Sequence, residues 1–214
     1  MYIRLILLFC IFTNFALAQT TENWELKENK DGVKIFTRDI ENSKIKAIRV
    51  ECQLQASLSQ VVAALMDIRN SEEWLYHTAG NYMVKQVSPA ELYYYSRIEM
   101  PWPVSNRDFI AHLKVTQDEA TKTVTVDAPC LPNMVPVKPN IIRIANSKGK
   151  WLLYPINKQE VKIIYTLHAD PGGNIPAWLT NLFVTQGPSQ SFKKFKVHIQ
   201  KPVYKTAKLD YIID

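Results

Sequence analysis

The sequence predicts an α+β protein, a long antiparallel sheet interrupted early by one short helix and closed by a C-terminal helix. Three observations carry that expectation. Apolar residues alternate with polar ones over several short stretches, the pattern of strands with one wet face. Near the C-terminus Leu179, Leu182, Phe183, Phe192, Phe195 and Ile199 recur at three- and four-residue steps, a helical period. No repeat, low-complexity tract or linker divides the 214 residues, and an apolar content of 47% supplies one substantial core.

Met1 to Ala18 stand apart from that domain. One basic residue, Arg4, precedes a run rich in Leu, Ile and Phe that ends in Ala16-Leu17-Ala18, small residues at −3 and −1. These are the parts of a secretory signal peptide, expected to be cleaved near Ala18. The run contains Thr13 and Asn14 and falls short of the ~20 apolar residues of a spanning helix. Residues 19–214 are then one exported domain, periplasmic or secreted. It keeps 25 basic and 20 acidic residues, a net charge of +5. Its remaining thiols, Cys52 and Cys130, are read as free and buried, although an oxidising compartment would permit pairing.

The elements follow in order. Asp31-Gly32 is a turn after a short polar segment, and Val33 to Arg38 form a strand. Ile48, Val50, Cys52 and Leu54 alternate with Arg49, Glu51, Gln53 and Gln55, a half-buried strand. Ser57 or Ser59 caps a helix through 60–67. Further strands are expected at 81–87, 91–100, 107–117, 122–128, 139–145, 150–155 and 160–168. The last helix has a tolerated first-turn Pro176, a kink or break at Gly187-Pro188, and an end at Pro202.

Within 107–117, Phe109, Ala111, Leu113 and Val115 share one face; Ile110, His112, Lys114 and Thr116 share the other. In the preceding strand Leu92, Tyr94, Ser96, Ile98 and Met100 lie opposite Tyr93, Tyr95, Arg97 and Glu99. A curved sheet over one helix either fills its interior or leaves a cavity. Small and hydroxyl-bearing residues such as Ala111, Ser96 and Tyr94 favour a cavity with a few polar points.

Nothing nominates an acid, a base or a nucleophile. His77, His112, His168 and His198 form no pair at ligand spacing, and HExxH and GxSxG are absent. His112 and His168 fall on the outer face, and His198 is expected in solvent among Lys193, Lys194, Lys196 and Lys201. Only 6 Gly are present, with no GxGxxG and no phosphate-binding loop. Three Cys cannot build a zinc ribbon or a disulfide framework. The one basic cluster reads as a solvated helix face, so no nucleic-acid partner is expected.

Four stretches together resemble one family. Asp31-Gly32-Val33-Lys34-Ile35-Phe36-Thr37-Arg38 resembles the first strand of the steroidogenic-acute-regulatory-protein-related lipid transfer (START) family. Pro101-Trp102-Pro103-Val104-Ser105-Asn106-Arg107-Asp108-Phe109 resembles its proline loop and Arg-Asp-Phe strand. Lys148-Gly149-Lys150-Trp151-Leu152-Leu153-Tyr154-Pro155 is similar to the strand pair before its last strand. Asp170-Pro171-Gly172-Gly173-Asn174-Ile175-Pro176-Ala177-Trp178-Leu179-Thr180-Asn181 resembles the approach to its C-terminal helix. Their order covers residues 22–204, nearly all of the mature chain.

The resemblance implies a helix-grip fold, a curved antiparallel sheet wrapped around a long C-terminal helix with an internal hydrophobic cavity. It implies one lipid or sterol-like ligand, held for transfer or sensing, no cofactor or metal, and, as in most members, no catalysis. The expected wall comprises Tyr94, Ser96 and Ile98, then Phe109, Ala111 and Leu113. The helix adds Trp178, Leu179, Leu182, Phe183 and Gln186, with residues 170–175 as a hinge. Sterol-type members face a buried acid with a base inside the tunnel; the matching positions here, Tyr94 and Leu113, are uncharged, so hydroxyls meet the ligand's polar end. Arg107-Asp108 reads as fixing a loop. A monomer with transient membrane-surface contact is expected. The rival is an aromatase/cyclase-like enzyme on the same scaffold, which needs inward His, Arg or carboxylates.

Overall fold

The computed structural model describes residues 23–43, 45–173, 175, 179 and 182–214, without the side chains of Leu182 and Phe183. The expected leader Met1–Ala18 lies outside the described residues. Strands β1 (Glu25–Lys30), β2 (Val33–Arg38) and β3 (Ala47–Leu54) come first, then helix α1 (Leu58–Met66) and a 3-10 turn, Ile68–Glu73. There follow β4 (Thr78–Ser88), β5 (Glu91–Ile98), β6 (Asn106–Gln117), β7 (Val124–Pro129), β8 (Ile141–Arg143), β9 (Asn146–Asn157) and β10 (Glu160–Asp170). Helices α2 (Gly187–His198) and α3 (Pro202–Lys205) come last.

All ten strands join one curved sheet in the order β1-β2-β3-β10-β9-β7-β6-β5-β4, and these neighbours are antiparallel. The short β8 pairs parallel with the start of β6. The sheet and the C-terminal helix give the α+β architecture expected from the periodicities. Tyr94, Ala111 and their pleat-mates face inward, while Arg97 pairs with Glu99 and His112 with Glu91 on the outer side.

Four local features differ from the sequence reading or sharpen it. Residues 25–30 form an edge strand; their side chains are nearly all exposed, so no apolar alternation marks them. Asp31 and Gly32, both at positive φ, turn that strand onto β2. Ser57 is the cap of α1, its Oγ accepting from the Gln60 N–H at 3.2 Å, and the helix therefore starts at Leu58. Gly187-Pro188 does not break the last helix. Pro188 has no N–H for the residue 184 carbonyl and crowds it; a wide π-helical turn over Leu182–Gln186 accommodates it.

His198 is a correction, since it is only 4% exposed. The four-residue α3 folds back so that Tyr204 Oη lies 2.9 Å from His198 Nε2 and donates to Asp67 Oδ2 at 2.9 Å. His198 Nδ1 stands 3.3 Å from Glu73 Oε2. This chain of contacts ties the end of α2 to the segment after α1. Burial, reinforced by the Lys201 ammonium and only partly opposed by Glu73, holds the His198 imidazole below the usual histidine range.

The stability that His198 contributes is thus fully present above the ordinary histidine value of about 6.5. It is lost as pH falls through the lower folded value, because the unfolded chain binds the proton first. The thermal midpoint is expected to drop on acidification from pH 7 to pH 5, and H198N to flatten that slope. An unchanged slope in the variant, followed by circular dichroism, would contradict this assignment.

Candidate functional site

The inner face of the sheet is divided along the strands. At one end Ile35, Val50, Leu153 and Ile163 pack with Val61, Phe195 and Ile199, all fully buried in one core. Toward the other end the inward residues shrink to Ala111 on β6, Ala128 on β7, Gly149 on β9 and Ala169 on β10. They are neighbours by register: Tyr94 pairs with Ala111, Ala111 bridges Cys130, and Gly149 lies between Ala128 and Leu167. A Cβ on Gly149 would stand 3.4 Å from Ala128 Cβ and 3.7 Å from the Tyr165 hydroxyl. Side chains this short do not reach the helix, and a cavity of about 270 Å³ opens between them. One water needs only ~10–15 Å³.

The inner end of the cavity is aromatic. The Trp151 ring lies 4.4 Å from Tyr165 and 5.3 Å from Phe192, and Trp74 packs 4.6 Å from Phe195. Such contacts hold α2 on the sheet, each large buried side chain contributing ~1.5–3 kcal/mol. Leu65 of α1, with Ile68 and Ser71 of the 3-10 turn, forms a side wall. The helix contributes Val184, Gly187, Pro188, Ser191 and Phe192, spaced by one helical face.

Of the expected wall, Tyr94, Ile98, Phe109, Ala111 and Leu113 are placed on the cavity. Ser96 shares their pleat and is fully buried, but stands off the cavity surface; its short side chain is paired across the ladder with the much larger Phe109. Leu179 is buried away from the wall. Gln186 is a correction: it is exposed, two residues from Val184 and two from Pro188, the spacing at which helical side chains point to nearly opposite sides. Trp178 and the side chains of Leu182 and Phe183 lie outside the described residues.

The sequence reading left out Tyr165, Cys130, Ser147, Gly149 and Trp151. Tyr165 was within reach of the same argument, since Val161, Ile163, Tyr165 and Leu167 alternate on β10. Cys130 and Ser147 lie at strand ends, where no period marks a direction.

Among the described residues, the charged groups on the cavity wall sit at one end. Lys46, His77 and Glu99 line the mouth, where all three are substantially exposed. Lys46 Nζ lies 3.1 Å from Asp39, Glu99 accepts from Arg97 at 3.0 Å, and His77 Nδ1 lies 3.1 Å from the Glu99 carbonyl. Deeper in, burial pushes the phenols of Tyr94 and Tyr165 far above the usual tyrosine value, with smaller contributions from Cys130 to both and from Tyr165 to Tyr94. Burial also pushes the Cys130 thiol up to about 11. These groups are neutral across the working pH range. Cys52 and Cys130 are free thiols.

Arg107 and Asp108 act beside the cavity. Arg107, 1% exposed, donates to the carbonyls of Ser105, Pro171 and Gly172, fastening residues 170–173 to β6. Gly172 and Gly173 take left-handed φ there, pressed against Ile142. Asp108 accepts from Arg143 Nε at 2.6 Å and Nη2 at 3.1 Å. Within the expected hinge 170–175, Pro171 and Gly172 are held by Arg107, and Asn174 lies outside the described residues; the Arg-Asp pair fixes loops as its sequence position suggested.

Comparison with known proteins agrees with this geometry. The START domain family model matches residues 15–205. An uncharacterized protein of Pseudomonas aeruginosa is 32% identical over 180 residues, 84% of this chain and 88% of that one. The phosphatidylcholine transfer protein of Bos taurus is 24% identical over 169 residues, 77% of this chain and 78% of its own length. The crystal structure of a STAR-related lipid transfer protein from Xanthomonas axonopodis superposes with a TM-score of 0.76 at 31% identity, covering 83% of this chain and 99% of that one. A family match along almost the whole domain, on the fold and with the cavity described above, means that the chain belongs to the START domain family.

Proposed function

We propose that this protein is an exported START-type carrier that binds one lipid or sterol-like molecule in its internal cavity, for transfer or sensing. The observation that carries this reading is the cavity itself, walled by small and aromatic side chains between sheet and helix. Its kinship with a phosphatidylcholine transfer protein and a STAR-related lipid transfer protein supports a lipid as cargo. We read it as a carrier and not as the cyclase-like alternative. Among the described residues the deep wall bears phenols, a thiol and a hydroxyl; Lys46, His77 and Glu99 stand at the mouth, where they are poorly placed to act on a buried substrate.

Native mass spectrometry of the purified protein, followed by extraction and identification of the bound molecule, tests the reading. One equivalent of a lipid is expected; a protein that stays empty when offered lipid vesicles would overturn it. The monomeric state is read from the same spectrum. Export has a separate test. Full-length chain made in a bacterium is expected in the periplasmic or extracellular fraction with Gln19 as its first residue, and retention of intact Met1–Ala18 in the cytoplasm would overturn it. The mature net charge of +5 favours brief contact with anionic membranes during loading.

A further inference from the structure

The cavity ends along one row of the sheet. Ile48, Leu167, Gly149 and Ala128 are register partners across β3, β10, β9 and β7, and all four line it. Two residues deeper on each strand the row reads Val50, Tyr165, Trp151 and Val126, and of these the two aromatic members line the cavity. In the next row Cys52, Ile163, Leu153 and Val124 lie wholly in the packed core.

Trp151 is the centre of that boundary. Its ring centroid stands 4.4 Å from Tyr165, 5.3 Å from Phe192, 6.0 Å from Phe195 and 6.3 Å from Trp74. Sheet, helix α2 and the end of the 3-10 turn thus meet on one side chain, which is 7% exposed. The Ser147–Ala169 pair, also on the cavity wall, is four residues from the Trp151–Tyr165 pair, a depth of about 13 Å. A staggered alkyl chain of ~1.5 Å bonds advances about 1.25 Å per bond, so about ten bonds fill that depth. The volume of about 270 Å³ lies just below the ~300–1,000 Å³ typical of a site for one drug-sized molecule.

From this arrangement we propose that Trp151 is the length stop of the cavity, and that the cargo is a molecule with a single apolar chain or ring system about 13 Å long, not two chains side by side. This rests on the lipid-binding reading above and narrows it by size, whichever end of the cargo enters first. A longer chain meets rings already packed against both layers, with core and no void behind them. To advance, it would have to part α2 from the sheet and forfeit those ring contacts. The excess length stays in water at the mouth instead, where further methylenes gain no burial.

Two series of probes, titrated into the purified, delipidated protein by calorimetry, test it. Primary alcohols from octanol to hexadecanol measure length. Affinity is expected to rise roughly fourfold per methylene up to about ten to twelve carbons and then to level off. In Trp151→Leu that break is expected about two or more carbons later; in Ala128→Leu, which fills the row before the stop, about two carbons earlier. Monodecanoylglycerol and 1,2-didecanoylglycerol measure the number of chains, and the second chain is expected to add less than about tenfold. Affinity that climbs evenly to hexadecanol would overturn the stop, as would an unmoved break in Trp151→Leu when circular dichroism shows it folded. If Trp151→Leu does not fold, an unmoved break in Ala128→Leu overturns the stop instead. A gain of more than about tenfold from the second chain would overturn the single-chain class. Binding of none of these probes would strike the lipid-binding reading itself.

Discussion

Replacing Asp108 by Ala is expected to cost about 3–5 kcal/mol of folding stability, the range for removing one partner of a buried ion pair. The pair is shut off from water, with side-chain exposures of 1% for Asp108 and 7% for Arg143. It is also forked, with two parallel N–H to carboxylate bonds, the stronger geometry for guanidinium and carboxylate. Arg143 donates in addition to the carbonyls of Pro132, Val135 and Pro136. Without Asp108 the guanidinium keeps those dipoles and loses its only described anionic partner. The excursion between β7 and β9 then has no charge to anchor it, although Lys138 still lies over the Tyr95 ring at 4.1 Å. Burial, the largest cause of the Tyr95 hydroxyl's rise to about 12, persists without Asp108, so the phenol does not supply the missing charge. D108A should also open residues 131–143 to proteolysis, and R143M in the same background should recover part of the loss, since an apolar pair leaves no orphan charge. A urea-unfolding difference below 1 kcal/mol would show that the pair is dispensable.

Replacing Ala111 by Phe is expected to cut ligand affinity at least about a hundredfold, ~2.8 kcal/mol, with stability unchanged or raised. Ala111 is 2% exposed and lies on the wall between Tyr94 and Cys130. A ring added there enters open volume, so it displaces ligand without displacing protein atoms. The adjacent Ile110 gives the control. It is fully buried on the opposite pleat, and its N–H/C=O neighbourhood includes the Leu131 N–H, which donates to the Ile110 carbonyl at 2.8 Å. I110F meets packed atoms and should cost about 1–3 kcal/mol of stability while leaving ligand affinity in place. Equal binding losses at both positions would mean that the cavity is not the ligand site.

Much of this contrast was already written in the chain. Alternation along β3 and β6 determines which side chains face inward, because successive strand residues point to opposite faces whatever the rest of the protein does. The Asp31-Gly32 turn and the cap before α1 are equally local: a positive φ and a side-chain oxygen within three residues of an N–H need no distant partner. Tyr94, Ala111 and Leu113 were legible for that reason. What only the tertiary structure decided is where inward residues meet and which helix face they meet. Tyr165, Cys130 and Ser147 come to the same cavity wall as Tyr94 through the pairing of β5, β6, β7, β9 and β10, which spans long stretches of chain that no local period encodes. Gln186 left the wall because the helix follows the face through Val184, Gly187 and Pro188 after a π-turn. His198 left solvent because α3 folds Tyr204 over it. Local sequence sets the direction of a side chain; only the packing of distant elements sets what stands in front of it.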